Sequence, residues 1–320
     1  MTDWAFILVP LLVLPIVLLF RFLGCSEFTS HPHPESAPDL RPPRYRDYIM
    51  GELNNPGLVK HSGVKPSRAD VIAYWRLVDL SSANDAIAKD EKGFQNGTYK
   101  VIGRLEPKDA SDTAPGDFGA PEDSLIVSDK GVMCRSFNGG YVVVPYKPEL
   151  YTEQFTIEAW LNPQWSPGSN SEHMIFSAGG RYQSLGDAFP RFHGFEVFTN
   201  KDDRLDVLFF GDSVSFTSTL PIIPRNHSTH IAITVEKEAG DPFKKRVSLF
   251  VNGKVAGIKT VGIYSLPEDA SLFIGIQAGP TDAGGTLDKS RPMLSKIQEV
   301  VLHNKALSQE EIENHFDINR

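Results

Sequence analysis

An antiparallel β-sandwich is the fold class that the sequence predicts, and three observations predict it. From about residue 70 the chain divides into short segments rich in Val, Ile, Phe, Tyr and Thr. Gly, Pro, Asn or Asp separates most of them, the rhythm of strands joined by turns. In RVSLFVNGKVAGIKT, Val247, Leu249 and Val251 alternate with polar neighbours, and Asn252-Gly253 supplies the two positive-φ residues of a type I′ hairpin turn.

Before the sandwich lie two different stretches. WAFILVPLLVLPIVLLFRFLGC, residues 4–25, carries no charge from Trp4 to Phe20. The run through Leu23 reaches the roughly 20 residues that a bilayer core requires. An N-terminal transmembrane helix through residues 4–23 is therefore expected, with Pro10 and Pro15 tolerated as kinks. Two other readings stand beside it. Leu23-Gly24-Cys25 resembles the end of a lipoprotein signal, which would make Cys25 the lipidation position, although Met-Thr-Asp lacks the basic start of such signals. A buried soluble helix is the third reading, and the unbroken apolarity speaks against it. Residues 26–69 are Pro-rich and without periodicity, as in SHPHPESAPDLRPP, and are expected to be an extended linker with a short helix possible over 44–53. The expected division is 1–25, 26–69 and 70–320.

The strand segments follow in order: VIAYWRLVDL, VMCRSF, YVVVPY, FTIEAWLNP, HMIFSAG, FEVFTN, RLDVLFF, VSFTSTL, HIAITVEK, RVSLFVNG, KVAGIKT, LFIGIQ and KIQEVVLHN. Asp202-Asp203 is expected to turn the chain between FEVFTN and RLDVLFF. The chain closes with ALSQEEIENHF, where Ser308 and Glu311 have capping-box spacing and Leu307 and Ile312 the staple positions. One short C-terminal helix follows from that pattern.

The order of these pieces resembles the laminin-G-like members of the concanavalin A-like lectin/glucanase superfamily. AYWRLVD (73–79), Asp90 with GFQNGTY (93–99), FNGGYVVVP (137–145), FTIEAWLNP (155–163), HIAITVE (230–236), VSLFVNGKVAG (247–257), LFIGIQ (272–277) and KIQEVVLHNKALSQEEIENHF (296–316) carry the likeness. The resemblance implies a jelly roll of two antiparallel sheets, with a first strand at Ala73–Leu77 lying near a last one at Lys296–His303. It also implies calcium ligands in the loop after the first strand and before the final strand. Asp90, with Asn96 nearby, holds the first position here, and Gln298-Glu299 stands where an Asp-Glu pair is usual. The plain alternative is that Asp90 and Asn96 shape a turn.

Glycan-cleaving members use two carboxylates, seen as acids spaced by two or four along a strand. No such run exists here. Glu158 shares its strand face with Thr156 and Trp160 and has no acidic partner in phase, so it is expected to be a scaffold residue. Glu196, Asp206 and Glu299 are single on their strands as well. Trp165, Tyr182, Phe189 and Phe192, in or near loops, are candidates for a sugar platform, whereas Trp75 and Trp160 belong to the core. The net charge of −8 excludes a phosphate-neutralising nucleic-acid binder, and two cysteines make neither a disulfide framework nor a zinc cluster. The nine His residues are scattered along the chain and give no metal motif.

The expected protein is a membrane-anchored, non-catalytic module binding carbohydrate or an envelope protein. A structural part in an envelope assembly and a glycan-cleaving hydrolase are the other readings. The domain is expected outside the cytoplasm on the resemblance, although Arg21, Arg41, Arg44 and Arg46, C-terminal to the apolar run, favour the opposite orientation.

Overall fold

The computed structural model describes residues 68–77, 85–101, 117–118, 122–123, 133–138, 140–165, 172–182, 191–210, 214–219, 223–262, 266–267, 270–277 and 292–318. The expected anchor at 4–23, Cys25 and the linker lie outside these residues. Among the described residues no helix is long and apolar enough to cross a membrane.

Two antiparallel sheets build the domain. In chain order the strands are β1 (Val71–Trp75), β2 (Ile87–Ala88), β3 (Gly97–Val101), β4 (Asp117–Phe118), β5 (Glu122–Asp123), β6 (Met133–Asn138), β7 (Gly140–Val144), β8 (Phe155–Pro163) and β9 (His173–Tyr182). They continue with β10 (Arg191–Thr199), β11 (Leu205–Phe209), β12 (Val214–Thr217), β13 (Thr229–Glu238), β14 (Asp241–Val251), β15 (Lys254–Val261), β16 (Leu272–Ile274) and β17 (Leu294–His303). The first sheet runs β15-β14-β13-β8-β17-β6-β4, with β1 also on β17 and β5 on β6; the second runs β12-β11-β10-β9-β16-β7-β3-β2. The first and last strands pair as the resemblance implied, Trp75 opposite Val300 and Ala73 opposite Leu302.

Alternation assigns the faces. Ile157, Ala159 and Leu161 of β8, Ile231, Ile233 and Val235 of β13, and Val247, Leu249 and Val251 of β14 meet Val142, Phe176, Val197, Val207 and Ile274 of the second sheet in one core. Burying each of the Val, Leu, Ile and Phe side chains contributes about 1.5–3 kcal/mol, which makes this layer the main source of stability. The predicted hairpin is present: Val251 pairs with Lys254 across Asn252 (φ 51°) and Gly253 (φ 76°). Asp203 (φ 56°) lies in the turn between β10 and β11, where Asn200 Oδ1 accepts from Asp202 N and Arg204 N.

The final helix, α1 (Gln309–Ile318), starts where the sequence placed it. Ser308 N donates to Glu311 Oε2 at 2.8 Å, and Glu311 N donates to Ser308 Oγ at 3.3 Å. Leu307 and Ile312 close the staple and pack with Ala232 and Phe250 on the outer face of the first sheet. That contact lays α1 over the sheet, and the candidate site lies beneath it.

Candidate functional site beneath the C-terminal helix

The strand β8 alternates between core and outer face, and Thr156, Glu158 and Trp160 point outward. Register fixes their neighbours. On β13, His230 lies opposite Trp160, and the small Ala232 opposite Glu158 leaves room for the acid's partners. On β17, Gln298 pairs with Trp160, Val301 with Glu158 and His303 with Thr156. The register shift between Gln298 and Val301 is a bulge with Glu299 at φ 55°, and bulges re-aim side chains in this way. From above, α1 contributes Ile312, His315 and Phe316, spaced three and four apart on one helix face.

Four ionisable side chains meet there. His303 Nε2 lies 2.8 Å from Glu158 Oε1, and His230 Nε2 lies 3.1 Å from Oε2. His315 Nδ1 spans both oxygens at 2.8 and 3.1 Å. Glu158 and His230 are fully buried, and His303 and His315 are 3% and 2% exposed. The ring of Trp160 stacks on Phe316, with centroids 5.8 Å apart, and closes one side. Among the described residues, Glu158, His303 and His315 form a group whose ligand atoms all lie within 4.8 Å of one another.

An isolated carboxylate in such a place would be strongly destabilising. Burial pushes the Glu158 carboxyl up, but the charge of His315 and hydrogen bonds from His230, His303 and His315 outweigh it and hold the group well below the usual carboxylate range. Burial pushes His303 down, opposed by its bond to Glu158, so this ring is neutral. His230 Nδ1 meets no hydrogen-bond partner, which assigns its proton to Nε2, facing the acid. The expectation that Glu158 is a scaffold residue therefore meets a specific geometry: it ties two strands and the terminal helix together. Sequence reading missed the histidines because β13, β17 and α1 lie far apart along the chain. The one legible signal was that His230, His303 and His315 fall on outward or helix-face positions of amphipathic elements.

The expected calcium residues fall elsewhere. Asp90 Oδ1 accepts from Tyr74 N and Lys92 N, and Oδ2 from Phe94 N and Gln95 N, at 2.7–2.9 Å. Asn96 Oδ1 accepts from Asp90 N. All four lone-pair sites of the Asp90 carboxylate are thus taken by the loop it shapes, so these residues do not fit calcium as they stand. Glu299 accepts from the Tyr74 hydroxyl and from Arg76 Nε and Nη2, both at 3.3 Å. Burial pushes the Glu299 carboxyl up despite Arg76. Gln298 is fully buried, with both amide atoms unpartnered.

The expected sugar platform divides as well. Trp165 is a correction: it is only 4% exposed, its ring stacks on His173 at 4.3 Å, and its Nε1 donates to Asp203 Oδ1 at 2.7 Å. Its loop position suggested exposure, but a neighbouring strand covers the ring. Tyr182 pairs in register with Arg191, and Phe192 with Arg181, at one end of the β9–β10 ladder; their side chains, like Phe189, lie outside the described residues. A different aromatic patch occupies the outward face of the second sheet. Register aligns Thr98, Val143, Phe273, Ser177, Glu196 and Leu208 across it. Tyr141 and Phe273 lie 6.4 Å apart, in a small cluster with Val143 and Ile276. Beside it, Gln277 Nε2 donates to Glu196 Oε1 at 2.7 Å.

Two antiparallel sheets, with the final strand between the first and the eighth, define a concanavalin A-like sandwich. A family profile of the concanavalin A-like lectin/glucanases superfamily matches residues 137–313, and the chain belongs to that superfamily. No curated protein sequence matches the chain. Among solved structures, Trypanosoma rangeli sialidase in complex with 2,3-difluorosialic acid aligns at a TM-score of 0.52 and 15% identity, over 85% of this chain and 37% of the sialidase. The same enzyme in complex with sialic acid aligns at 0.52 and 17%, over 84% and 36%. Domain 4 of AbnA, a GH43 extracellular arabinanase from Geobacillus stearothermophilus, in complex with arabinotriose, aligns at 0.45 and 16%, over 77% and 98%. At these identities the likeness to the sialidase is one of fold, and the chain spans little more than a third of that enzyme.

Proposed function

We propose that the sandwich is a non-catalytic module that binds carbohydrate at a cell envelope. In this reading residues 4–23 tether it, residues 26–69 space it, and its two sheets form a jelly roll. The observation that carries the reading is the state of the strand-borne acids. Glu158, Glu196, Asp206 and Glu299 are 0%, 1%, 8% and 2% exposed. Each is hydrogen-bonded within the protein, Asp206 through Asn200 Nδ2. Glycoside cleavage requires two carboxyl groups facing the sugar across an open cleft, about 5–9.5 Å apart. Acids enclosed by their own donors are poor candidates for that work.

The outward face of the second sheet is the binding surface in this reading. Phe273, half-buried beside Tyr141, offers ring area of the kind that stacks on a sugar's apolar face, and the half-buried Gln277 amide at its edge is suited to a hydroxyl rim. Calcium is not required by it, since Asp90 is already saturated. The test is a glycan array with the full chain in detergent, with and without EDTA, alongside a reducing-end assay on mixed polysaccharides. A glycan signal that Phe273→Ala weakens about tenfold or more supports the reading, that being the loss of roughly 1.4 kcal/mol of ring contact. Release of reducing ends would overturn it in favour of a hydrolase. A stable complex with an envelope protein and no glycan signal would favour an assembly role instead.

A further inference from the structure

We propose that Glu158, His303 and His315 bind one zinc ion that staples α1 to the first sheet. This inference is independent of what the domain binds.

The geometry supplies the ligands. Glu158 Oε1, His303 Nε2 and His315 Nδ1 come from β8, β17 and α1 and converge within 4.8 Å. Two ligand atoms on a tetrahedral zinc, with bonds of about 2.0–2.2 Å, stand about 3.3–3.5 Å apart. The Glu158 Oε1 contacts to both histidines are 2.8 Å, so ion entry requires those pairs to open by about half an ångström. Side-chain rotation within rotamer wells supplies that much.

The surroundings fit an ion as well. His230 Nε2, at 3.1 Å from Oε2, donates to the oxygen that does not bind, as outer partners of zinc carboxylates do. Gln298 and Trp160 face each other in register, two residues along β8 from Glu158 on the same outward face. The Gln298 amide oxygen and nitrogen and the Trp160 indole nitrogen are all buried without a partner. A zinc ion with three protein ligands leaves its fourth position to a water.

Ligand chemistry selects the metal. Two imidazoles and a carboxylate suit zinc, whereas calcium and magnesium demand an all-oxygen shell. Binding takes the ring lone pairs at His303 Nε2 and His315 Nδ1, so each ring carries its remaining proton on its other nitrogen. Because the ligands span two strands and the terminal helix, the ion's binding energy becomes folding energy for α1.

The experiment uses the full chain, purified with EDTA and then titrated with Zn²⁺ or Co²⁺. The expected result is one equivalent of metal by elemental mass spectrometry and a cobalt spectrum of tetrahedral type. At a free zinc concentration of about 100 times Kd, the melting temperature should rise by roughly 5–10 °C. His303→Gln and His315→Gln should each lose that equivalent while His31→Gln/His33→Gln, in the N-terminal stretch, keeps it. If either site variant fails to fold, the wild-type cobalt spectrum and stoichiometry decide. A folded wild-type chain with no stoichiometric metal and no zinc-dependent melting shift overturns the proposal. So does metal retained by both site variants.

Discussion

Replacing Glu158 by Gln tests the buried cluster most directly. The variant keeps one acceptor oxygen for His303 and His315, but puts an amide NH₂ where Oε2 now accepts from His230 Nε2 at 3.1 Å and from His315 Nδ1 at 3.1 Å. A donor then faces a donor. One charge-assisted hydrogen bond, worth about 1.5–3 kcal/mol, is lost, and the His230 N–H is orphaned or forced to change tautomer at about 1–3 kcal/mol more. Breaking a buried charged cluster from one side costs about 3–5 kcal/mol in comparable cases, in line with that sum. For a domain of this size, each kcal/mol moves the melting temperature by roughly 2–4 °C, so a fall of roughly 6–20 °C is expected. The assay is urea and thermal unfolding of the full chain in EDTA, which removes any metal contribution. Because the lost contacts anchor α1, hydrogen exchange at the amides of 309–318 should speed up first. A loss below about 1 kcal/mol, with α1 exchange unchanged, would refute the view that Glu158 is a satisfied anion tying the helix to the sheet.

Four further outcomes follow from the same geometry. His303 is depressed by burial and Glu158 by its donors, so each contributes stability above its unfolded pKa that is lost as pH falls; with His230, His315 and Lys305 facing the same pocket, urea titrations in EDTA should show stability falling below about pH 6.5 and more steeply below about pH 4.5. Gly194→Ala should abolish soluble expression or cost about 3 kcal/mol or more, because φ is 94° and a Cβ would stand 1.7 Å from the Ala178 carbonyl oxygen. Asp90→Ala should cost about 2–4 kcal/mol in urea unfolding whether or not calcium is present, since four backbone N–H groups lose their acceptor; a cost that appears only with calcium would restore the metal reading. Ser308→Ala should cost about 1 kcal/mol by removing the cap on Glu311 N, measured by the same unfolding curves.

Local rules made part of this protein legible in its sequence. The Asn252-Gly253 turn and the Ser308–Glu311 cap were readable because each depends on residues a few positions apart, whose backbone demands no distant partner can override. The apolar face of β14 and the division of β8 into two faces were readable because a period of two fixes which side chains share a side. The strands β2 to β5 were missed: β2, β4 and β5 are two residues each, and β3 begins within the turn-forming residues Asn96-Gly97. Trp165 was misjudged because its burial depends on His173 of a neighbouring strand.

What the sequence determined by itself was the sandwich, its closing helix and the grouping of Glu158 with Thr156 and Trp160 on one face of its strand; that this face is the outward one, Trp160 included, was not read from it. Only the tertiary structure decided what Glu158 meets. His230, His303 and His315 stand 72, 145 and 157 residues away from it. They converge because register across β13, β8 and β17, a bulge in β17 and the seating of α1 bring three distant elements onto one face. Pairing of that kind is set by packing over the whole domain, and no local periodicity encodes it.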